Sequence, residues 1–258
     1  MIKLFITDLD GCISTPFVPP DWNFLSEIRR LNDQHINDIA VPPLTICSGR
    51  PLPYVEAVAQ WLNVKQPAVF ENAGVCNLAK YEVQFLPVFD EEAERQVDEL
   101  KAWLQLEIMP EYPGMVLEFT KRMDAGLIHT QKEVIDDAFP AVRAYVAGHY
   151  PDFEVHKTEV SINVILADNN KENGILRICE LLEITPREVA YIGDSSGDIP
   201  GLEIVGKPFA PNNAVAEVKE HAEVLETEVT EAVLAAYNLI IQSNRKEVSE
   251  KISADVRE

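Results

Sequence analysis

The chain has 258 residues, 47% of them hydrophobic, which is enough for one large domain or two modest domains with a sizeable core. The 43 acidic and 22 basic residues give a formal net charge of −21, which disfavours nucleic acid or an anionic membrane surface as a partner. No apolar run approaches the ~20 residues of a membrane helix or forms the core of a signal peptide. Four scattered cysteines without a CxxC pair predict a reduced, cytoplasmic protein.

The first part of the chain alternates predicted strands and helices. The apolar run LFIT (residues 4–7) is typical of a buried parallel strand, and residues 21–34 have helical spacing. A second strand is predicted over 42–50, a second helix over 51–64 and a third strand over 67–75. This alternation predicts a parallel, doubly wound α/β sheet.

The pattern changes near residue 80. A charged amphipathic helix, DEEAERQVDELKAWLQ, is followed by two short strands, MVLEFTK and AGLIHT, with a turn at residues 122–124. A second helix, IDDAFPAVRAYVAGHY, is again followed by two strands, FEVHKTE and VSINVILA. This repeated helix-strand-strand order predicts an α+β domain with antiparallel hairpins, inserted at residues 80–168.

The first pattern returns after the insert. Residues 171–184 have helical spacing, the apolar strand REVAYIGD ends at Asp194, and a short strand and two helices follow. We therefore expect residues 1–79 and 169–243 to form one core domain. Residues 244–258 contain few apolar residues and are predicted to form a flexible tail or an interface helix.

Polar residues follow several of the predicted core strands. Asp8 and Asp10 follow the first strand, residues 48–50 (Ser-Gly-Arg) the second, residues 71–72 (Glu-Asn) the third, and GDSSGD (193–198) a later one. Ligand sites of open parallel sheets lie at the carboxyl ends of the strands, so these groups are expected to converge.

The converging carboxylates need a positive charge, because like charges in one site raise each other's pKa. The four candidates are Asp8, Asp10, Asp194 and Asp198. With no cysteine or histidine cluster beside them, they suit a hard cation such as Mg²⁺. Lys171, at the start of a predicted helix, can supply a second positive charge.

The segments DLDGC, SGR, NNKENG and GDSSGD resemble, in order and spacing, the four motifs of the haloacid dehalogenase superfamily. The insert between the second and third motifs resembles the type II cap of that superfamily, and its duplicated helix-strand-strand order resembles subclass IIB. FENAG and PNNA are also similar to sequences of that subclass. The resemblance implies a Rossmann-like core with an inserted α+β cap. The likeness is greatest to archaeal-type phosphoglycolate phosphatases and related sugar-phosphate phosphatases.

The resemblance also implies catalytic roles. Asp8 is the expected nucleophile, forming an aspartyl-phosphate, and Asp10 the general acid and base. Ser48 is expected to donate a hydrogen bond to a phosphoryl oxygen, and Lys171 to neutralise charge on the nucleophile and the phosphoryl group.

The same resemblance implies how the metal is held. Asp8, the backbone carbonyl of Asp10 and Asp194 are expected to bind Mg²⁺, with Asp198 completing or orienting that shell. Two residues depart from the usual pattern. Gly197 stands where the family usually has Asn, which removes a side-chain hydrogen bond beside Asp198. Cys12 stands in place of the usual Thr.

The predicted function is a Mg²⁺-dependent phosphatase acting on a small phosphorylated metabolite, phosphoglycolate or a sugar phosphate. Candidate substrate contacts are Gly49, Arg50, Asn72, Lys121, Arg122 and Asn213. Several structural interpretations of the candidate residues stay open. Ser48 could be a helix N-cap, Arg50 a structural residue at a helix start, and residues 121–122 of the inserted domain solvated turn residues. A phosphomutase of the same fold, a phospho-accepting domain and a silent ligand-binding protein are the alternatives. Both a monomer and a homodimer are compatible with the sequence.

Overall fold

A computed structural model describes residues 1–255. Its chain contacts divide into a core unit, Met1–Gln84 with Lys171–Glu258, and an inserted unit, Phe85–Asn170. The strands are β1 (Leu4–Thr7), β2 (Leu44–Ile46), β3 (Ala68–Phe70), β4 (Gly74–Asn77), β5 (Glu82–Gln84), β6 (Val116–Leu117), β7 (Asp124–Ile128), β8 (Phe153–Lys157), β9 (Ser161–Leu166), β10 (Val189–Ile192), β11 (Lys207–Ala210) and β12 (Glu223–Val224). The α-helices are α1 (Trp22–Gln34), α2 (Leu52–Trp61), α3 (Glu91–Trp103), α4 (Lys132–His149), α5 (Lys171–Leu181), α6 (Ile199–Ile204), α7 (Ala216–Lys219) and α8 (Val229–Asp255).

The main sheet of the core unit has five parallel strands in the order β12-β11-β10-β1-β2. Successive residues of β1 point to opposite faces. Leu4 and Ile6 join an apolar cluster with Ile175 of α5, whereas Phe5 packs on Tyr237 of α8 with ring centroids 5.1 Å apart. Because helices cover both faces, every residue of β1 is buried. The predicted parallel α/β core is confirmed.

The strand register positions the polar loops. Thr7 at the end of β1 lies opposite Ile46 of β2 and Ile192 of β10. The residues that follow these three positions therefore leave the sheet at the same edge. In this way β1, the central strand of the three, places Asp8 between the loops that begin after β2 and β10.

The predicted third strand, 67–75, is wrong as a single element. Residues 71–73 form a turn with positive φ at Glu71 (45°) and Asn72 (70°), so that β3 and β4 make an antiparallel hairpin. β3 joins β2 only through a parallel bridge between Cys47 and Val69. β5 pairs with β4, so residues 80–84 lie in the core unit, and the inserted unit begins at Phe85 instead of residue 80.

The inserted unit contains an antiparallel sheet in the order β6-β7-β9-β8. Along the chain it follows the predicted order of helix, strand, strand, twice: α3, β6, β7 and α4, β8, β9. Helix α3 contacts β7, and α4 contacts β8 and β9. The contacting helices bury apolar faces, among them Val97 and Leu100 on α3 and Val142 and Val146 on α4.

The segment predicted to be a flexible tail or an interface helix is helical over the part that the structure describes. Helix α8 continues to Asp255, and residues 256–258 lie outside the described residues. The Asn244 side chain is buried. Its Oδ1 accepts from the backbone N–H of Ile2 (2.8 Å), and its Nδ2 donates to the carbonyls of Ile2 (2.8 Å) and Ala40 (3.1 Å). Within residues 1–255, none of the helices combines the length and apolar character needed to cross a membrane.

Candidate active site

The carboxylate of Asp8 and the ammonium of Lys171 form a buried pair after β1. Lys171 Nζ lies 2.8 Å from Asp8 Oδ2, and the backbone N–H of Leu9 donates to Asp8 Oδ1 at 2.7 Å. Burial raises the pKa of Asp8 to about 7 against the opposing effect of Lys171. Burial acts to lower the pKa of Lys171, but Asp198 and Asp8 together raise it well above its ordinary value. Lys171 is therefore a fixed positive charge beside the predicted nucleophile.

Asp198 is the most completely hydrogen-bonded carboxylate of the site. Its Oδ1 accepts from Lys171 Nζ and from the hydroxyl of Tyr191. Its Oδ2 accepts from the backbone N–H of Asp194 (3.0 Å), the N–H of Ser195 (2.9 Å) and the Ser195 hydroxyl (2.9 Å). Burial acts to raise the pKa of Asp198, but Lys171 and these hydrogen bonds hold it below its ordinary value. A carboxylate offers about four lone-pair sites, so these five donors leave little room for a metal.

Asp194 lies against the loop that follows β1. Gly11 has a φ of 72°, and a Cβ at this position would stand 1.9 Å from Asp194 Oδ2, so only glycine fits both the backbone conformation and the approach. Burial, together with the negative charges of Asp198 and Asp8, raises the pKa of Asp194 to about 8.

A divalent cation fits this donor set. Asp8, Asp194 and Asp198 each offer an oxygen within 4.8 Å of the others, and Lys171 is the cation that pairs with two of them. Burial raises the pKa values of Asp8 and Asp194, and the neighbouring carboxylates raise them further. Carboxylate oxygens are the ligands that Mg²⁺ prefers. Asp8 and Asp194 suit direct binding, whereas the saturated Asp198 suits the orienting role.

Asp10 has a different partner. Its carboxylate accepts a two-pronged hydrogen bond from Arg50, with Nε 2.6 Å from Oδ2 and Nη2 2.9 Å from Oδ1. The carboxylate atoms within 4.8 Å of one another do not include those of Asp10. Its predicted contribution to the metal, a backbone carbonyl, stays a prediction.

The loops after β2 and β3 bring Ser48, Gly49 and Asn72 together. Ser48 is buried, its Oγ accepts from the N–H of Arg50 at 3.3 Å, and its carbonyl accepts from the N–H of Asn72 at 3.0 Å. Gly49 passes so close to Asn72 that a Cβ would lie 3.1 Å from Asn72 Oδ1. Because α2 is capped by Pro51, Ser48 is not the N-cap of that helix. Its predicted bond to phosphate stays a prediction.

Asn213 binds the loop after β1. Its Nδ2 donates to the carbonyl of Gly11 at 2.9 Å, and its Oδ1 accepts from the N–H of Val229 at 2.9 Å. The oxygen and the nitrogen of the exposed side-chain amide thus both hydrogen-bond to backbone groups. This supports a structural role for Asn213 in addition to the predicted substrate contact.

The two cap candidates differ strongly within the inserted unit. Lys121 is buried, with Nζ 2.7 Å from Asp124 Oδ2 and 3.0 Å from Asn163 Oδ1, so the interpretation of Lys121 as a solvated turn residue is wrong. Arg122 is exposed and forms a two-pronged ion pair with Glu94, at 2.6 and 3.0 Å. Both predicted cap cations therefore have carboxylate partners.

Sequence reasoning missed two residues that organise the site. Tyr191 and Ser195 donate to Asp198, and Ser195 provides hydrogen bonds beside Gly197, where the family usually has Asn. The one signal for Tyr191 was a hydroxyl within the apolar strand VAYI. Cys12, the other departure, is buried, and burial raises the pKa of its thiol well above the ordinary value.

Comparisons with known proteins agree with this fold. The family model for haloacid dehalogenase-like hydrolases matches residues 116–237. A phosphoglycolate phosphatase from Methanopyrus kandleri is 29% identical over 231 residues, covering 87% of this chain and 90% of that protein. One from Methanococcoides burtonii is 27% identical over 217 residues, covering 83% and 85%. A solved haloacid dehalogenase-like hydrolase from Bacteroides thetaiotaomicron superposes with a TM-score of 0.70 at 16% identity, covering 93% and 100%.

The predicted resemblance to the haloacid dehalogenase superfamily is confirmed by these matches, and the chain has the haloacid dehalogenase-like fold. Within that class, relatives similar over more than four fifths of the chain carry phosphatase names, which supports a phosphatase.

Proposed function

We propose that this protein is a Mg²⁺-dependent phosphatase that hydrolyses a small phosphorylated metabolite through an aspartyl-phosphate. The observation that supports it most is the buried Asp8 carboxylate, which contacts Lys171 at 2.8 Å and has oxygens of Asp194 and Asp198 within 4.8 Å. An ionised carboxylate oxygen beside a fixed cation is suited to attack a phosphate group. The neighbouring carboxylates suit a metal that binds the same phosphate group.

The reaction has two steps. Asp8 forms a bond to phosphorus while the bond from phosphorus to the leaving oxygen breaks, and Asp10 gives its proton to that oxygen. Water then attacks phosphorus and gives a proton to Asp10. The bond between phosphorus and Asp8 breaks in this step, so inorganic phosphate is released and the Asp8 carboxylate is restored. Lys171 and Ser48 bind the phosphoryl oxygens. Bound Mg²⁺, held by Asp8 and Asp194, would neutralise charge on the phosphoryl group.

The metal part of the proposal predicts complete dependence on a divalent cation. Exhaustive treatment with EDTA should abolish phosphate release, and added Mg²⁺ should restore it, because the carboxylates of Asp8 and Asp194 otherwise oppose an anionic substrate. Lys171→Met is the matched comparison, since it removes the second positive charge and should lower activity even at saturating Mg²⁺. Full turnover after chelation would contradict the metal assignment.

The proposed substrates are phosphoglycolate and sugar phosphates. The proposal is supported by the two archaeal relatives named phosphoglycolate phosphatase. A panel of phosphorylated acids and sugars, assayed for released phosphate, tests the class. Isomerised product without free phosphate would instead favour the phosphomutase alternative. A cytoplasmic location and a monomeric or homodimeric state remain predictions.

Recognition of a distal anion by the inserted unit is also a proposal. Arg122→Ala should raise the KM for a phosphorylated acid roughly tenfold, about 1.4 kcal/mol, and leave p-nitrophenyl phosphate unaffected. Removing Lys121 alone would leave the buried Asp124 without its cation, so the double variant Lys121→Met with Asp124→Asn tests Lys121. Equal effects on both substrates, or no effect, would exclude these residues from recognition.

A further inference from the structure

Arg50 holds the Asp10 carboxylate by both of its oxygens. The two hydrogen bonds, 2.6 Å from Nε and 2.9 Å from Nη2, fix the rotation of the carboxylate as well as its position. About a quarter of the Arg50 side chain and a third of that of Asp10 are exposed, with side-chain values of 24% and 34%. A two-pronged bond between arginine and a carboxylate adds geometric specificity as well as energy. The geometry therefore suits an orienting role.

The backbone and the guanidinium of Arg50 are themselves held in place by further contacts. The N–H of Arg50 donates to Ser48 Oγ at 3.3 Å, and its carbonyl accepts from the N–H of Glu71 at 2.9 Å. The guanidinium lies over the ring of Tyr54, 5.0 Å from the centroid. These contacts leave the guanidinium in one place beside Asp10.

A second contact joins helix α2 to the loop that follows β1. The Tyr54 hydroxyl lies 3.4 Å from Ser14 Oγ, and the carbonyl of Ser14 accepts from the N–H of Gly11 at 2.7 Å. Tyr54 thus supports Arg50 on one side and contacts the loop that follows Asp10 on the other.

We propose that Arg50 is a positioning residue that orients Asp10 toward the leaving oxygen, an inference that rests on the proposed function. A general acid has to lie within hydrogen-bond reach of the oxygen it protonates. Each carboxylate oxygen has two lone-pair directions, and the fork occupies one on each, so the others remain for the transferred proton and the leaving group. Arg50 itself neither gains nor loses a proton and need not touch the substrate.

Two aryl phosphates of similar shape test this role. Phenolate is a poor leaving group that needs protonation, whereas p-nitrophenolate leaves readily without it. Arg50→Met should lower kcat/KM for phenyl phosphate by roughly 10- to 100-fold, part of the ~10²–10⁴-fold that general acid catalysis supplies. The value for p-nitrophenyl phosphate should change less than about threefold, because its departure does not depend on an oriented acid.

Two further variants complete the test. Arg50→Lys keeps a positive charge without the fork and should restore phenyl phosphate turnover only in part. Arg245→Met is the control, because Arg245 also pairs with an aspartate of the core unit, Asp38 at 3.0 Å, and should leave both substrates unaffected. Thermal unfolding of each variant identifies losses that come from misfolding, and Arg50→Lys keeps the test decisive if Arg50→Met does not fold.

Asp10→Asn separates failure of this inference from failure of the proposed function. If Asp10→Asn slows phenyl phosphate selectively and Arg50→Met does not, the positioning role is wrong and the proposed function stands. Equal losses on both substrates in Arg50→Met would instead indicate phosphate binding or a fold defect, and would also overturn the positioning role. If Asp10→Asn shows no selectivity, the general acid assignment fails, and the role of Arg50 fails with it.

Discussion

At the scale of single residues, the pKa of Asp198 differs strongly from those of the neighbouring carboxylates of Asp8 and Asp194. Burial raises the pKa of Asp8 to about 7 and of Asp194 to about 8. Burial acts on Asp198 in the same direction, but Lys171 and donors from Tyr191 and the following loop hold its pKa below the ordinary value. Asp198 is therefore a permanent anion that fixes Lys171, while Asp8 and Asp194 depend on a further cation for full ionisation.

Exchanging the two N-terminal aspartates separately tests their roles. Asp8→Asn should eliminate turnover, because an amide is a poor nucleophile, and no phosphate should stay bound to protein after an acid quench. Asp10→Asn should keep the nucleophile and lower turnover on the order of 10²–10⁴-fold, the usual contribution of a general acid and base. Phosphate release and acid-quenched labelling measure both effects. Near-normal activity of Asp8→Asn would contradict the covalent mechanism.

The sequence predicted the residues of this site better than their partners. Asp8, Asp194, Asp198 and Lys171 were identified because each follows or begins a recognisable strand or helix, and the register of β1 with β10 brings them together. The pairing of Asp10 with Arg50 could not be predicted. It joins residues 40 positions apart in two irregular loops, where no periodic pattern indicates how a side chain points.

At the scale of elements, the structure departs from the sequence predictions at two places, for different physical reasons. The hairpin of β3 and β4 requires positive φ at Asn72, and strand propensity is uninformative about a turn inside an apolar run. The end of α8 is too polar to predict as packed, but one buried residue, Asn244, joins it to the N-terminal segment at Ile2. Contacts 242 positions apart in the chain overrode local composition in this helix.

Asn244→Ala tests whether the end of α8 belongs to the folded core. The change should lower the free energy of unfolding by about 2–4 kcal/mol, because it leaves the buried backbone groups of Ile2 and Ala40 without partners. Asn238→Ala is the matched control on the same helix, since Asn238 is exposed and donates to the carbonyl of Leu234 one turn earlier. Denaturant unfolding measures both. Equal stability of the two variants would contradict a structural role for Asn244.

At the scale of the whole molecule, the formal charge of −21 adds to the electrostatic repulsion within the acidic site. Repulsion from the rest of the chain opposes the concentration of further carboxylates in one buried place and opposes the approach of an anionic substrate. Lys171 offsets part of that charge. Binding of a divalent cation should therefore stabilise the fold as well as assist the reaction, because the cation binds the folded site and not the unfolded chain.

The stability of the metal-free protein should fall as pH rises. Unfolded aspartates titrate near 3.8, whereas folded Asp8 and Asp194 titrate near 7 and 8, so between these values the folded state binds more protons than the unfolded state. The free energy of unfolding then decreases with pH across this window. Thermal unfolding in EDTA should accordingly give a lower Tm at pH 8 than at pH 5.

Asp194→Asn and added Mg²⁺ separate the site from the general charge of the chain. The variant cannot ionise at this position, so in EDTA it should be more stable than the wild type at pH 8, with the difference shrinking toward pH 5. Mg²⁺ should raise the Tm of the wild type most at pH 8, where its ligands are ionised, and that of the variant much less. A pH dependence of the Tm in EDTA that is identical in the wild type and the variant would assign the effect to the surface charge. An equal rise in Tm with Mg²⁺ in both proteins would remove Asp194 from the metal site.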